Sequence, residues 1–363
     1  MKINGTHYRS IEVNDDGWSV RIFDQQKLPW ELVNLKLETM EQAAYAIKEM
    51  QTRGAPMLAM TAAYGMCLAL RQNASDENLQ AAYGALLATR PTAVNLRWAL
   101  DEVMNAVKDL PQDQRAAAAY ARAGEMCDED VEINRNIGLN GLKLLKKIAA
   151  AKNGETVNIM THCNAGWLAT VDYGTISAPI YMAHDAGLKI HVWVSETRPR
   201  NQGASLTAYE LQQHGVPHTV IPDNASGHLM QKGRVDIVLT GTDRVTRNGD
   251  TCNKIGTYMK AVAAKHNNVP MFIALPYPTI DYTMQSGDLI PIEERSAREV
   301  THITGLTGGG EIKEVKITGS NAFNPGFDVT PADLIAGYIT ERGILEKVCS
   351  GDTDEPVFMK DAA

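Results

Sequence analysis

The sequence predicts an α/β protein whose C-terminal part is built on a parallel β-sheet and whose smaller N-terminal part is mainly helical, with a few short strands. From about residue 157, short β-rich runs alternate with helical segments, a pattern typical of a parallel sheet covered on both faces. Before that point helical patterns dominate. A length of 363 residues with 44% hydrophobic residues suits two globular domains.

The N-terminal part begins with strands and continues with helices. Residues 1–25 alternate apolar and polar side chains, which predicts short strands. The sequence from Thr39 to Gln42 has the form of a capping box and predicts a helix that ends near Gly54. Pro56 suits the first turn of the helix that follows.

The nearly apolar stretch from Ala55 to Leu70 is interpreted as a buried helix. It is shorter than the roughly 20 residues that a membrane span requires, and Thr61 and Tyr64 dilute it. No secretory signal is visible at the start of the chain. The five cysteines include no C-x-x-C pair, which fits reduced thiols. We therefore expect a cytoplasmic protein with no membrane partner.

An alanine-rich stretch connects the two parts of the chain. It predicts one or two helices within Arg115–Ala151, closed by Gly154. We place the domain boundary near residue 130, which gives an N-terminal domain at 1–130 and a catalytic domain at 131–363.

The C-terminal part contains the predicted sheet. Five runs predict its strands, at 157–161, 189–196, 218–221, 235–241 and 270–275. Helices are predicted between strands, for example at 205–214 and 253–267.

The charge balance restricts the class of partner. The net charge is −8 and the pI is near 5.6. This disfavours nucleic acid, because a phosphate backbone requires a basic face. A small anionic substrate is still allowed, since one local cation and a helix N-terminus can hold a phosphate.

Polar and reactive residues follow the predicted strands. In an open parallel sheet, ligands bind beyond the carboxyl ends of the strands, and these residues are therefore the candidates for a site. They are His162-Cys163-Asn164, Glu196–Gly203, Asp223-Asn224, Thr242-Asp243-Arg244 and, slightly later, Asn253-Lys254.

Two of these residues invite a chemical interpretation. Cys163 is either a buried thiol at a strand end or a thiol in a pocket that tunes its ionisation. Asp243 either shapes a turn or is a carboxyl that an apolar site keeps protonated, able to donate to a leaving oxygen. A metal site is disfavoured, because His162 and Cys163 are adjacent and no second ligand pair has zinc spacing.

Basic residues in two helix-connecting loops suit an anion. Arg53 precedes the Pro56 helix, and Arg90 lies in a second loop before a helix. Each is either a solvated arginine or part of an anion clamp made with free helix N–H groups. Asn253 and Lys254 either start a helix or meet a nearby anion. No G-x-G-x-x-G follows a strand, which disfavours a dinucleotide.

Eight segments, spread along nearly the whole chain, occur in an order that is known from other proteins. They read DQQKLPWE, RGAP, RPTAVNL, THCNAG, ETRPRNQGASLTAYEL, GTDRVTRNGDTCNKIGTY, IEERSAREV and NPGFDVTPADLIAGYITERG. Together they resemble the methylthioribose-1-phosphate isomerase family. That family includes 5-deoxyribose-1-phosphate isomerases and, more distantly, regulatory subunits of the translation-initiation exchange factor.

The resemblance implies a Rossmann-like C-terminal domain and a homodimer, and it assigns roles to residues. Cys163 matches the catalytic cysteine and Asp243 the proton donor. The matching substrate-binding positions are Arg53, Gly54, Ala55, Arg90, Gln202, Asn253 and Lys254.

The implied activity is an aldose–ketose isomerisation. The substrate would be 5-methylthioribose 1-phosphate, in methionine salvage, or its 5-deoxy analogue, converted to the ribulose 1-phosphate. No cofactor or metal is expected, since oxidation at C2 balances reduction at C1. A non-catalytic, sugar-phosphate-binding regulatory subunit is the alternative. Trp167 stands where the family usually has a smaller residue. Near the pocket, it would favour a methyl over a methylthio group.

Overall fold

The computed structural model describes residues 2–91 and 93–346. The chain divides into two compact units, one of residues 1–132 with 167–174 and one of residues 133–166 with 175 onward. The domain limits expected from the sequence stay a prediction. Cys349 and the last part of the expected second domain lie outside the described residues.

The first unit contains short strands followed by long helices. The elements that begin in it are β1 (Lys2–Ile3), β2 (Thr6–His7), β3 (Ile11–Val13), β4 (Val20–Phe23), β5 (Asn34–Leu37), α1 (Met40–Lys48), α2 (Ala55–Gln72), α3 (Asp76–Thr89), α4 (Val94–Val107) and α5 (Gln112–Ala151). The strands β3, β4 and β5 form an antiparallel sheet.

The capping box predicted at the start of α1 is confirmed. Thr39 accepts a hydrogen bond from the backbone of Gln42, and the Gln42 side chain accepts one in return. The helix ends at Lys48 and not near Gly54, so that part of the prediction is wrong. Its continuation is blocked because Met50 adopts a left-handed conformation, with φ of +61°.

The helix α2 forms the centre of the first unit, as the apolar stretch predicts. Every residue from Met57 to Leu70 is buried, and Pro56 lies in the first turn. No helix within the described ranges is long and apolar enough to cross a membrane. The alanine-rich region forms one continuous helix, α5, and Gly154 follows it with φ of +78°.

The second unit alternates strands and helices. Its strands are β6 (Val157–Thr161), β7 (Ile190–Ser195), β8 (His218–Ile221), β9 (Ile237–Thr240), β10 (Arg244–Thr246), β11 (Thr251–Lys254), β12 (Met271–Ala274), β13 (Ile280–Asp281), β14 (His302–Leu306), β15 (Ile312–Lys316), β16 (Phe327–Thr330), β17 (Gly337–Thr340) and β18 (Gly343–Glu346). Its helices are α6 (Ser177–Asp185), α7 (Ala208–His214), α8 (Ala225–Gln231), α9 (Thr257–His266) and α10 (Arg298–Thr301).

The predicted parallel sheet is confirmed and has Rossmann-like order. In the described part of the chain, seven strands follow the order β18-β17-β12-β9-β6-β7-β8. All neighbours are parallel except β17 and β18. All five predicted strands appear, shortened by at most two residues at an end.

A second sheet, of order β13-β10-β11-β16, corrects the helix predicted at 253–267. Asn253 and Lys254 belong to β11, which pairs antiparallel with both β10 and β16, and the helix begins only at Thr257. Gly249, with φ of +91°, lies in the turn that joins β10 to β11. The helix predicted at 205–214 forms from 208, after a π-helical turn at Gly203–Thr207.

Candidate active site

The topology of the second unit brings Cys163 and Asp243 to the same edge of the sheet. Cys163 follows β6 and Asp243 follows β9, and these two strands are adjacent and parallel. The chain order runs outward in opposite directions from this pair of strands, which is the switch point where open α/β sheets bind ligands. The two loops also touch, since a Cβ on Gly241 would lie 2.4 Å from the Cβ of Ala165.

Cys163 is held in an uncommon backbone conformation. It is 7% exposed and has φ of +62°, in the left-handed region that non-glycine residues rarely adopt. Its N–H donates to Thr197 Oγ1 at 2.8 Å. Its carbonyl oxygen accepts from Thr207 Oγ1 at 2.7 Å. Both backbone polar groups of the cysteine are therefore fixed by threonine hydroxyls.

Thr197 is itself left-handed, with φ of +67°, and Asp223 determines its position. The Thr197 N–H donates to Asp223 Oδ1 at 2.8 Å, and the Arg198 N–H donates to Oδ2 at 2.7 Å. The Ser195 hydroxyl donates to Oδ1 at 2.5 Å. One carboxylate thus accepts three hydrogen bonds, one from the last residue of β7 and two from the segment that follows it.

Two buried basic side chains lie close to the Asp223 carboxylate. The Nδ1 of His162 and the Nζ of Lys260 are each 3.9 Å from Asp223 Oδ1. Burial, reinforced by the charge of Lys260, lowers the pKa of His162 well below its usual range, and the ring is neutral. Burial also lowers the pKa of Lys260 to about 8, against the opposing charges of Asp223 and Asp328.

The carboxylate itself stays ionised. Burial alone would raise the pKa of Asp223, but the hydrogen bond from Ser195 and the charge of Lys260 outweigh it and the pKa is lowered.

Asp243 is exposed, and this corrects the expectation of an apolar environment around it. Its N–H donates to the carbonyl oxygen of Cys252 at 2.9 Å, which places it at the start of the hairpin formed by β10 and β11. Burial, together with the charge of Asp243, raises the pKa of the Cys252 thiol to about 12.

Gln202, Asn253 and Lys254 belong to the same unit. Gln202 is 5% exposed, and its Oε1 has no hydrogen-bond partner among the described residues. Asn253 is also buried, and its Nδ2 donates to Thr257 Oγ1 at 3.0 Å. Lys254 Nζ donates to a backbone carbonyl at 3.0 Å and lies 4.3 Å from the ring centre of Phe327.

The first unit contains the other four predicted residues. Arg53, Gly54 and Ala55 form the N-terminal boundary of α2, where Gly54 has φ of +96°. A Cβ at Gly54 would come within 2.7 Å of the Ala169 backbone, so no other residue fits there. Arg90 follows the last turn of α3.

No group of three or more His, Cys, Asp or Glu side chains suited to a metal ion occurs between residues 2 and 346, leaving residue 92 aside. The expectation that no metal or cofactor takes part stays a prediction.

Comparison with known proteins gives the family. The model of the Initiation factor 2 subunit family matches residues 51–347. A methylthioribose-1-phosphate isomerase from Paramagnetospirillum magneticum is 60% identical over 349 residues, which cover 95% of this chain and 96% of the relative. One from Rhizobium meliloti is 57% identical over 348 residues, with coverage of 95% and 96%. The chain belongs to the methylthioribose-1-phosphate isomerase family.

Solved structures of this family share the fold. A 5-methylthioribose 1-phosphate isomerase from Pyrococcus horikoshii OT3 has a TM-score of 0.82 and 39% identity, covering 94% of this chain and 93% of that one. A structure named translation initiation factor eIF-2B, subunit delta, from A. fulgidus has a TM-score of 0.79 and 37% identity, covering 94% and 96%. The resemblance detected in the sequence is therefore confirmed.

Trp167, one of the departures from the family pattern, does not line open space. Its side chain is 0% exposed and packs edge-on against Phe23, with ring centres 5.4 Å apart. A fully buried ring offers no surface to a ligand, so an effect of Trp167 on the 5-substituent would have to act through the residues packed around it. The preference for a methyl group stays a prediction.

Sequence reasoning missed the polar groups behind Cys163. It found Thr197 and Asp223 at strand ends but gave them no role, and it overlooked Lys260. A signal for Lys260 existed. The buried positions of α9 are 257, 260, 261 and 264, so a lysine falls on the apolar face of this helix.

Proposed function

We propose that this chain is an aldose–ketose isomerase that converts 5-methylthioribose 1-phosphate to 5-methylthioribulose 1-phosphate. The observation that carries the proposal is the placement of Cys163 and Asp243 on adjacent loops at the switch point of a Rossmann-like sheet. The names of relatives up to 60% identical over nearly the full chain support the same substrate. Conversion of 5-deoxyribose 1-phosphate is the secondary activity that we would test.

The chemistry explains why an acid and a thiol are needed. Phosphate on the anomeric oxygen prevents the ring from opening by the route open to a free aldose. We assign Asp243 to protonate the ring oxygen as its bond to C1 breaks. Cys163 then accepts the proton from C2 or stabilises the charge that develops. When C1 regains a hydrogen and the C2 hydroxyl loses its proton, the aldose has become a ketose with no net redox change.

The exposure of Asp243 makes its carboxyl accessible to a bound substrate. The acid role that we assign to it requires the protonated carboxyl in the complex with substrate.

The remaining assigned residues hold the substrate. In the second unit, Gln202 offers a sugar hydroxyl a buried amide oxygen that has no hydrogen-bond partner among the described residues, and Lys254 supplies a cation. Asn253 precedes Lys254 in β11. In the first unit we assign Arg53, Gly54, Ala55 and Arg90 to substrate binding. Fixed polar contacts of this kind contribute by orienting the reacting atoms.

One observation favours a second function. The structure from A. fulgidus that is 37% identical is named as an initiation-factor subunit. A non-catalytic chain that only binds sugar phosphate would not need both Cys163 and Asp243 at the switch point.

A cytoplasmic location and a homodimer complete the proposal. Sedimentation equilibrium of the purified protein tests the dimer.

Proton NMR of the purified protein with 5-methylthioribose 1-phosphate in deuterated water tests this function. We expect the anomeric proton signal to disappear while ribulose 1-phosphate signals grow, and unphosphorylated 5-methylthioribose to remain unchanged. Deuterium at C1 of the product would indicate proton transfer, and its absence would favour a hydride shift. Saturable binding without any product would support the regulatory function instead.

A further inference from the structure

The conformation of Cys163 depends on residues that are not next to it in sequence. A left-handed non-glycine residue costs on the order of 1–3 kcal/mol and persists only where surrounding contacts impose it. Thr197 supplies one such contact, through the hydrogen bond that its hydroxyl accepts from the Cys163 N–H at 2.8 Å. The same hydroxyl donates to the carbonyl oxygen of Ser195 at 2.9 Å, so its orientation is fixed from both sides.

Thr197 needs support of its own. A β-branched residue with φ of +67° is a genuine outlier in backbone conformation. The support comes from Asp223, whose two carboxylate oxygens accept the N–H groups of Thr197 and Arg198. Because both bonds are charge-assisted, they are stronger than bonds between neutral groups.

Lys260 provides the opposite charge. Its side chain is fully buried, its Nζ lies 3.9 Å from Asp223 Oδ1, and no hydrogen-bond partner for this nitrogen exists in the described part of the chain. A buried ammonium group is costly unless an opposite charge compensates it. Asp223, which is close to it and accepts three hydrogen bonds, is the group that its charge stabilises.

We propose that Asp223, with Lys260 as its buried counter-charge, is a positioning residue for the Cys163 thiol and acts on it through Thr197. This inference rests on the proposed function, because it concerns the thiol that the isomerisation uses. Neither Asp223 nor Lys260 takes part in proton transfer to the substrate. Their contribution is to keep the thiol in its reactive orientation.

Two substitutions of Thr197 distinguish the loss of its hydrogen bond to Cys163 from a general loss of folding. Thr197→Val keeps the shape but removes the hydroxyl that accepts the Cys163 N–H, whereas Thr197→Ser keeps the hydroxyl. We expect the valine variant to lose about 10- to 100-fold in kcat with KM nearly unchanged, because the thiol is misplaced. The serine variant should retain most of the wild-type kcat.

Substitutions of Asp223 and Lys260 distinguish an effect on the position of the thiol, measured by kcat, from an effect on protein stability, measured by Tm. In Asp223→Asn, the amide nitrogen would face a backbone N–H, and Lys260 would lose its partner, so kcat and Tm should both fall. In the double variant with Lys260→Met, no unpaired buried charge remains, and Tm should recover. We expect kcat not to recover, since the loop still lacks its carboxylate.

The control is Asp236→Asn. Asp236 also pairs with a lysine, Lys152 at 2.7 Å, and accepts the Asn158 N–H at 2.7 Å, but it lies at the opposite end of β6 from Cys163. This variant should keep the wild-type kcat.

Alkylation of Cys163 by iodoacetamide, resolved by peptide mass spectrometry, gives a readout that does not need turnover. The Cys163 thiol is only 7% exposed, and loss of the hydrogen bonds that hold its backbone should make it more accessible. We therefore expect the rate of alkylation to rise about tenfold in Thr197→Val and Asp223→Asn, but not in Thr197→Ser or Asp236→Asn. Unchanged kcat and alkylation in Thr197→Val, or recovery of kcat together with Tm in the double variant, would overturn the proposal. If wild type fails to turn over substrate but alkylation follows the expected order, the proposed function fails and the positioning role stands.

Discussion

At the scale of single residues, strain and polar support occur together. Cys163 and Thr197 are both left-handed, and each is held by hydrogen bonds from a different segment. Strain of this kind is concentrated at functional sites, where the surroundings determine one conformation and pre-organise a reactive group. The site is therefore built by contacts between loops and not by the cysteine's own preference.

Glu299 shows how charge stabilises the loop after β7. Its carboxylate contacts Arg295 Nη2 at 2.7 Å and Arg200 Nη1 at 3.0 Å. Burial alone would raise the pKa of Glu299, but these arginines outweigh it and lower the pKa from 4.5 to about 2. A folded-state pKa below the unfolded value stabilises the fold above pH 4.5, and this stability is lost as the pH falls towards 2.

We therefore predict that Glu299→Gln lowers the free energy of unfolding at neutral pH by up to about 3 kcal/mol, and Tm with it. The difference from wild type should close as the pH falls from 4.5 to 2, as measured by thermal melts across that range. Glu293→Gln is the control, because Glu293 pairs with the same Arg295 but is 44% exposed. A Tm difference for Glu299→Gln that stays constant with pH would refute the electrostatic explanation.

The positions of the candidate site residues were predictable only in part. The rule that ligands bind at the carboxyl ends of strands selected Cys163 and Asp243 from the sequence alone, because both directly follow strands that are easily recognised. It could not assign Thr197 or Lys260, since their role depends on contacts with segments far away in the chain. The exposure of Asp243 was likewise invisible in the sequence, because burial is decided by tertiary packing.

At the scale of elements, the segment after β7 changes helical pitch at the site. A π-helical turn spans Gly203–Thr207 and leads into α7. Such turns are rare and are often found at functional sites. A Cβ on Gly203 would lie 1.8 Å from the carbonyl oxygen of Ser195, so only glycine fits.

We predict that Gly203→Ala displaces this turn and with it Gln202, which raises KM and lowers Tm. Gly84→Ala in α3 is the matched control. Nothing lies within 4 Å of a Cβ there, and alanine in a helix interior adds about 1 kcal/mol of stability relative to glycine. Steady-state kinetics and thermal melts of both variants check this. Wild-type KM and Tm in Gly203→Ala would show that the backbone adapts without cost.

The inner strands of the central sheet were predictable because both of their faces are largely buried. β9 and β12 therefore read as short, almost wholly apolar runs, and β6 as such a run interrupted by Asn158. The hairpin of β10 and β11 was not predictable. Its strands have three and four residues of mixed polarity, and β11 is completed by β16, which comes more than 70 residues later. Nothing local in the sequence specifies that pairing.

At the scale of the whole molecule, the net charge opposes the proposed substrate. The chain has a net charge of −8, whereas a sugar phosphate is an anion. The overall field therefore gives no long-range attraction, and affinity has to come from local cations and backbone N–H groups. The predicted arginines of the first unit and Lys254 of the second have this character.

In the proposed reaction, a thiol and a carboxylic acid together isomerise a sugar whose anomeric oxygen is blocked. The most direct test is kcat with 5-methylthioribose 1-phosphate for Cys163→Ser and Asp243→Asn. Cys67→Ser serves as control, because Cys67 is buried in α2 and its Sγ–H bond to the Ala63 carbonyl can be kept by serine. We predict losses of about 10²- to 10⁴-fold in kcat for the two site variants and none for the control. A wild-type rate in either site variant would show that the substituted group is not needed for the isomerisation.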